Sequence, residues 1–594
     1  MDHVEHRFGI ADYCVFGFML LVSAIIGVYY AFVDRKKNTT SEFLMGGRSI
    51  GVFPVSLSLV ASFLSAITLL GTPVEIYSYG TSYWTHILIY PLIILVTATC
   101  FIPVFYKLEL TSCFEYLEKR FNKSVRTLGS VCFCIQMIIY MSIVLYAPSL
   151  ALSQVTGIHV WHSVLSIGVV CTFYTSIGGM KAVIWTDVFQ TIMMFGSMLF
   201  VVIKGALDMG GFSNVWEINK KFDRIDFFNF DSSPLTRHSF WALMIGTFFN
   251  WGSIYCTNQT MVQPGLVLFA RYWNCDPIST HRVSAADQLF PLFVVETLGS
   301  IPGLSGLFVA GIFSGALSTV SSGVNSLAAV TFEDFIKGYT NINLSESNAT
   351  LMTKLLAVFF GLVAIALVAV AQQMGNVLNA ALSLFGLLGS PVFALFITGM
   401  FIPFVNSPGA FFGTLSGIGV SFWIGIGAMT TKPYHPKKEF LVTNCTSSNY
   451  SMNLALQESL DLHAIHLINE SESVLPIYRI SYMYYGVIAA FVTIVISILI
   501  SLLIGKKSNP DSSLIMPIIQ KYIKNKNEEF KVQNSLADSI SASATASTIQ
   551  LVPYAENVST PLQHQDFVNI ALEESSKQVE NDNIKEEKIE NSKF

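Results

Sequence analysis

Two stretches of the 594-residue chain carry hydroxyl and small side chains where an apolar helix would ordinarily carry leucine. They are Ser56-Leu-Ser-Leu-Val-Ala-Ser-Phe-Leu-Ser-Ala-Ile-Thr68 and Ser314-Gly-Ala-Leu-Ser-Thr-Val-Ser-Ser-Gly-Val-Asn-Ser326. Two chemistries suit that pattern. Small residues let helix backbones approach closely. Alternatively, hydroxyls and the carbonyls freed at an interrupted helix surround a desolvated monovalent cation, which wants several weakly charged oxygens. Ionisable groups within apolar runs are rarer and therefore more telling. Asp187, in Ala182-Val-Ile-Trp-Thr-Asp-Val-Phe-Gln190, reads either as a helix N-cap or as a carboxylate on a cation route, with Gln190 one turn further on the same face. His86 reads as a hydrogen-bonded interior histidine or as a substrate contact.

Bond-making chemistry finds no constellation. The chain has no Walker-type glycine loop, no nucleophile elbow and no histidine–carboxylate metal pattern, so neither an enzyme nor an ATP-driven pump is expected. Glycines near 178–179, 302–306 and 386–389 suit helix ends and close packing better than phosphate cradles.

The elements that must position these residues are membrane helices. The chain is 52% hydrophobic and 12% charged, against roughly 25% charged in soluble domains. A net charge of −5 supplies no basic field, which excludes nucleic-acid binding as a class. Of the 34 Lys and Arg and 39 Asp and Glu residues, 23 lie in 506–594, so that segment is read as a disordered aqueous tail, with its Leu514–Ile523 piece expected along the membrane. A bilayer core of about 30 Å needs roughly 20 apolar residues per helix. By that measure spans are expected near 10–32, 51–75, 82–106, 127–152, 158–176, 184–208, 239–263, 303–331, 351–374, 378–403, 409–430 and 484–505. Backbone groups in lipid must be satisfied internally, so an all-α integral membrane bundle follows.

Orientation is read from basic residues in short loops. Arg35, Lys36, Lys37 and Arg48 after the first span, and Lys107, Lys119, Arg120, Lys123 and Arg126 after the third, place both loops in the cytoplasm and the N-terminus outside. The 431–483 loop carries three glycosylation sequons, at Asn444, Asn449 and Asn469, and is expected outside. Twelve full crossings cannot satisfy both anchors. One more crossing between 263 and 303 would, yet the only apolar stretch there, Pro264 to Ala270, rises about 15 Å even with its flanks. Cys275 and Cys445 both fall in connections expected to be extracellular, where a disulfide between them is possible.

Ordered motifs across residues 9–505 resemble the sodium/solute symporter family, in the branch carrying monocarboxylate, multivitamin and iodide symporters. The carriers include Glu42-Phe-Leu-Met-Gly-Gly-Arg48, Phe105-Tyr-Lys-Leu-Glu-Leu-Thr-Ser112, Phe114-Glu-Tyr-Leu-Glu-Lys-Arg-Phe121, the stretch Tyr174 to Gln190, Asn258-Gln-Thr-Met-Val-Gln263 and Asn325 to Asp334. The resemblance implies a LeuT-type fold of two inverted five-helix repeats, about 51–208 and 239–403. A leading helix lies within 1–50, an extracellular connection at 209–238 and trailing helices in 404–505. It also implies a co-transported sodium ion held by the carbonyls of Ala61, Leu64 and Gly315 and the hydroxyls of Ser318 and Thr319. A second cation and the substrate would map to Phe63, Ser65, Thr68, Tyr140 and Trp251, with His86 beside them and Asp187 and Gln190 toward the cytoplasmic exit. Ser65-Ala-Ile-Thr-Leu-Leu-Gly-Thr-Pro73 looks closest to the monocarboxylate type.

One departure stands out. Family members continue after the Asn-Gln motif with a loop and a complete seventh core helix, whereas here Gln263 abuts Pro264. On the order of 30 residues are absent, enough for one crossing. A splice form or a faulty gene model accounts for that, and a chain lacking the helix is expected to lose part of one repeat. The expected function is sodium-coupled symport of small organic monoanions such as lactate, pyruvate or short-chain fatty acids across the plasma membrane by a monomer. The alternatives are a vitamin or iodide-like anion, or a non-transporting form.

Overall fold

This computed structural model describes residues 8–33, 43, 50–63, 65–108, 110, 112–252, 262–280, 282–283, 285–299, 301–340, 345–374, 377–431, 433–438, 473–505, 510–517 and 519–520. The described residues up to 519 form one unit. All of its regular elements are helical. In chain order they are α1 (Ile10–Val33), α2 (Val52–Phe63), α3 (Ala66–Tyr79), α4 (Thr81–Leu108), α5 (Glu115–Arg120), α6 (Lys123–Thr156), α7 (Val160–Asp208) and α8 (Phe212–Lys221). There follow α9 (Phe240–Gly252), α10 (Val262–Tyr272), α11 (Leu289–Leu298), α12 (Leu304–Thr340), α13 (Glu346–Ala371), α14 (Val377–Phe401), α15 (Ser407–Thr431) and α16 (Met483–Ile504).

Nine described helices are long and apolar enough to cross a membrane, and the bent pair α2 and α3 makes ten. Two further features bear on the twelve expected spans. The 49-residue α7 would rise about 74 Å if straight, more than twice a bilayer core, and is two spans joined at Gly179, where φ is 62°. A Cβ there would sit 2.8 Å from the Phe43 ring and 3.0 Å from its carbonyl oxygen, so the kink position requires glycine. The shorter apolar helix α9 lies within the expected 239–263 span and covers only part of it.

Small residues do set close approaches. A Cβ on Gly27 of α1 would lie 2.5 Å from the Tyr174 Cβ of α7, and one on Gly306 of α12 would lie 2.4 Å from the Asp12 carbonyl oxygen. Asp12 in turn accepts from the Gly306 amide at 2.9 Å, fastening α1 to the start of α12.

Contacts assign the connections to two faces. The Thr81 amide donates to Arg224 O, Lys438 N to Ser78 O and Ser481 N to Pro234 O, each at 3.0 Å. The turn at Gly80, the 209–239 connection and both flanks of the 432–482 loop therefore share one face. On the other, Arg120 donates to the carbonyls of Gly399, Ile402, Pro403 and Val405, and Tyr116 donates to Leu514 O. Leu514, Ile515 and Met516 are buried there, so the tail expected to be disordered from 506 has a docked beginning. Apolar side chains in an otherwise polar stretch drive that docking.

The region where the crossing count failed contains α9 and α10. The Phe240 amide, opening α9, donates to Asn229 O at 2.6 Å, while Asn219 donates to Leu266 O in α10 at 3.0 Å. The Arg224 guanidinium lies 3.8 Å above the Phe269 ring. Both helices are thus anchored on the 209–239 connection. Their 13 and 11 residues rise about 20 and 16 Å, so neither described helix spans a bilayer core. The start of α9 and the body of α10 therefore share the face of the 209–239 connection.

Candidate functional site

A run of serines interrupts the first core helix. Serine hydroxyls compete for backbone partners, and Ser65 adopts extended backbone (φ −74°, ψ 161°) as the N-cap of α3. The two halves, Val52–Ser62 and Ala66–Tyr79, incline by 52°. A broken helix leaves carbonyls at one end and amides at the other without intrahelical partners. The Thr68 and Leu69 amides bond to Ser65 O at 3.0 and 3.1 Å.

The end of α2 lies against the middle of α12, whose serines and threonines face it. Thr319 donates to Ser62 O at 3.1 Å and to Gly315 O at 2.9 Å. Ser62 Oγ is 3.5 Å from Ser318 Oγ and 3.0 Å from Ser322 Oγ. Ala61 precedes this contact and is buried, as are Gly315, Ser318 and Thr319. Of the five residues expected to hold sodium, Gly315, Ser318 and Thr319 gather beside the end of α2, where Ala61 precedes the contact residue Ser62, and Leu64 lies outside the described residues.

The kinked helix α7 adds a carboxylate. Ser58 donates to Asp187 Oδ2, and the Ser318 hydroxyl faces the same carboxylate. Thr191, one turn on, donates to Leu57 O at 3.2 Å. Asp187 is fully buried and pairs with no basic side chain among the described residues. Among the described residues its Oδ1 has no donor, nor has Gln190 Oε1, while Gln190 Nε2 donates to Ser23 of α1 at 3.2 Å. The N-cap reading of Asp187 is corrected, because α7 restarts at Gly179 and Asp187 lies two turns inside it. Buried acceptor oxygens lacking donors, beside hydroxyls and carbonyls from three helices, form the oxygen set that a hard monovalent cation takes.

A second group sits at the head of α3. Ser65 Oγ is 3.4 Å from Thr68 Oγ1, and the half-buried Tyr140, edge-on to Phe385 at 4.8 Å, faces Ser65. The Phe63 and Trp251 side chains lie outside the described parts, as do Asn444, Asn449 and Asn469. Cys275 is disulfide-bonded, and its expected partner Cys445 also lies outside the described residues.

His86 is placed elsewhere. Its Nδ1 bonds to Tyr83 O and its ring packs on Tyr83 at 4.4 Å and Tyr90 at 5.5 Å, so its contacts follow the interior-histidine alternative rather than reaching Ser65, Thr68 or Tyr140. Beyond Tyr83 lies a network that the sequence reading missed. Arg237 meets Glu75 of α3 at 2.7 and 2.8 Å and Asn379 of α14 at 2.6 Å, between the rings of Tyr79 and Tyr482. His238 closes it, with Nε2 3.2 Å from both Glu75 Oε1 and Tyr482 OH. The available signal was a glutamate inside an apolar span, which by default has a partner.

Comparison with known proteins bears on this arrangement. The profile of the sodium:solute symporter family matches residues 43–254 and 254–417. Human sodium-coupled monocarboxylate transporter 1 is 42% identical over 550 residues, covering 86% of this chain and 90% of the relative. Mouse sodium-coupled monocarboxylate transporter 2 is 40% identical over 545 residues, covering 85% and 86%. Rabbit sodium-dependent multivitamin transporter is 41% identical over 562 residues, covering 88% and 87%. Among solved structures, a substrate-bound, outward-open Na+-coupled sialic acid symporter superposes with a TM-score of 0.67 at 23% identity, covering 85% of this chain and 100% of that one. That likeness bears on the fold, which is the LeuT-type helical bundle.

Proposed function

We propose, for a chain that belongs to the sodium:solute symporter family and is a sodium-coupled transporter rather than an enzyme, that its cargo is a small organic monoanion such as lactate, pyruvate or a short-chain fatty acid. The carrying observation is the juxtaposition of two neutral oxygen clusters, Ser62–Ser318–Thr319 and Ser65–Thr68–Tyr140, on the two sides of one helix break. In this reading sodium is held by the carbonyls of Ala61, Leu64 and Gly315 and the hydroxyls of Ser318 and Thr319. The carboxylate, with a second cation, sits among Phe63, Ser65, Thr68, Tyr140 and Trp251. Asp187 and Gln190 line the route by which sodium leaves. A carboxylate so placed is bound by hydroxyls, a ring edge and the cation itself, and needs no arginine.

Sodium moving down its gradient supplies the work. One charge crossing about 100 mV contributes about 2.3 kcal/mol, and two or more sodium ions per anion would sustain strong accumulation. Sodium favours the outward-open state that binds the anion, and its release inside resets the bundle. The protein acts at the plasma membrane as a monomer, N-terminus outside and tail inside, an orientation supported by the basic loops and the sequons at Asn444, Asn449 and Asn469.

One observation favours a second reading, in which the chain reaches the surface but does not transport. The 550 positions aligned with the human relative exceed the 86% of this chain that they take up, so that relative carries residues this chain lacks. The family match breaks at 254, just before the short α10. Uptake of labelled lactate in sodium against choline medium, normalised to surface-labelled protein, decides between them. Sodium-dependent uptake supports the symporter. Its absence despite surface delivery, with recovery on restoring a complete seventh core helix, supports the non-transporting form.

A further inference from the structure

The outer end of α3 opens on a cavity remote from the candidate sodium site. It encloses about 480 Å³ between Tyr79, the 226–238 segment, the 434–438 segment and Arg479. Tyr79 closes the half-helix that Ser65 opens, and its 14 residues set the cavity about 20 Å outward from the helix break. The size lies within the roughly 300–1,000 Å³ of small-molecule sites.

Its charges do not balance. The cations lining it are Arg237, Lys437, Lys438 and Arg479, and the acid lining it is Asp226. Arg237 is matched by Glu75, and Lys438 is held by Asp223 at 3.1 Å. Arg479, half-buried, and Lys437, exposed, have no ion-pair partner among the described residues. Among the described residues, two cations without an ion-pair partner thus face one carboxylate, in a chain whose net charge is −5. Tyr79, Leu235 and Pro436 supply apolar wall beside them. A guanidinium offers two parallel donors to a carboxylate, and a nearby ammonium adds a point charge.

We propose that this cavity is an outer anion-binding station, in which Arg479 and Lys437 hold the carboxylate of a small organic anion before it reaches the helix break. The assignment rests on the proposed transport of organic anions. A cationic cleft with low-dielectric walls raises the local concentration of anions and makes their capture sensitive to salt. The inner cluster, built of neutral oxygens and a cation, then receives the anion from a site that holds it by cationic side chains.

The test uses the full chain and labelled lactate as probe. Arg479→Gln and Lys437→Gln are each expected to raise the KM for lactate uptake about fivefold at low ionic strength, leaving maximal rate and sodium half-saturation unchanged, with the difference vanishing in high salt. Arg479→Lys, which keeps the charge, is expected to recover most of the loss. Unchanged KM and unchanged salt dependence in both glutamine variants would overturn the station. A wild-type chain that takes up nothing defeats the transport reading instead, and binding is then read directly. Purified wild-type protein in sodium-free medium is expected to show saturable lactate binding that Arg479→Gln removes. No such binding in the wild-type chain, or binding that survives Arg479→Gln, would overturn the station independently of transport.

Discussion

The Thr319 hydroxyl bridges two helices, lying 3.1 Å from the Ser62 carbonyl oxygen of α2 and 2.9 Å from the Gly315 carbonyl oxygen of its own α12. It has one proton and two acceptors, so the oxygen is positioned by both and keeps a lone pair for a cation. Thr319→Ala removes that ligand. The sodium concentration for half-maximal uptake is expected to rise roughly tenfold, equivalent to about 1.4 kcal/mol, while Thr319→Ser stays near wild type. Unaltered sodium dependence in the alanine variant would show that sodium binds elsewhere.

Asp187 sets a carboxyl group beside that neutral oxygen cluster, through Ser318 and Ser58. Asp187→Asn keeps the size and the Ser58 contact but removes the negative charge, and sodium-driven uptake is expected to fall at least tenfold with normal surface labelling. Equal uptake at every sodium concentration would assign Asp187 a packing role. Ser58→Ala, which strips a donor and keeps the carboxylate, is expected to give the milder defect, since it removes one hydrogen bond and leaves the carboxylate in place.

Glu75 and Arg237 are buried at 2% and 9% side-chain exposure and meet at 2.7 Å. Breaking such a pair costs more than replacing it whole, because the survivor keeps its desolvation penalty. Glu75→Gln is expected to lower stability by about 3–5 kcal/mol, read as a drop in the thermal midpoint of the purified protein. The Glu75→Gln/Arg237→Met double variant is expected to lose less than Glu75→Gln alone. The opposite order would mean that the pair contributes little.

The outer cavity makes a pH prediction. Burial, followed by the nearby charges of Arg237 and His238, pushes His435 down to about 4 from its ordinary 6.5. The unfolded chain then gains a proton near 6.5 that the folded chain refuses until about 4, so stability declines as pH falls through that window. His435→Gln is expected to flatten the decline between pH 6.5 and 4 in a thermal-unfolding series. An unchanged pH slope would place His435 in water.

The twelve apolar runs, the family resemblance and the two oxygen-rich stretches were all legible, since hydropathy and hydroxyl spacing are local properties. Even the anomaly at Gln263–Pro264 was visible, as a failure of crossing parity. Glu75 was passed over, although a lone glutamate inside an apolar run was signal enough. Its partner Arg237 stands 162 positions away, in a connection whose charges resemble any solvated loop.

What this sequence determined by itself was composition in order: which segments enter lipid, where serines weaken a helix, and where glycine permits the bend at 179. Membrane burial enforces these without reference to any distant residue, because every peptide group in a lipid environment must find its partner within the segment. Only the tertiary structure decided which oxygens converge. It brought Ser58, Asp187 and Ser318 together from three helices, turned His86 toward Tyr83 instead, and set the start of α9 and the body of α10 on the face of the 209–239 connection. Those choices depend on helix rotation and close packing, which for Ser58, Asp187 and Ser318 are settled across more than a hundred positions and leave no periodic trace along the chain.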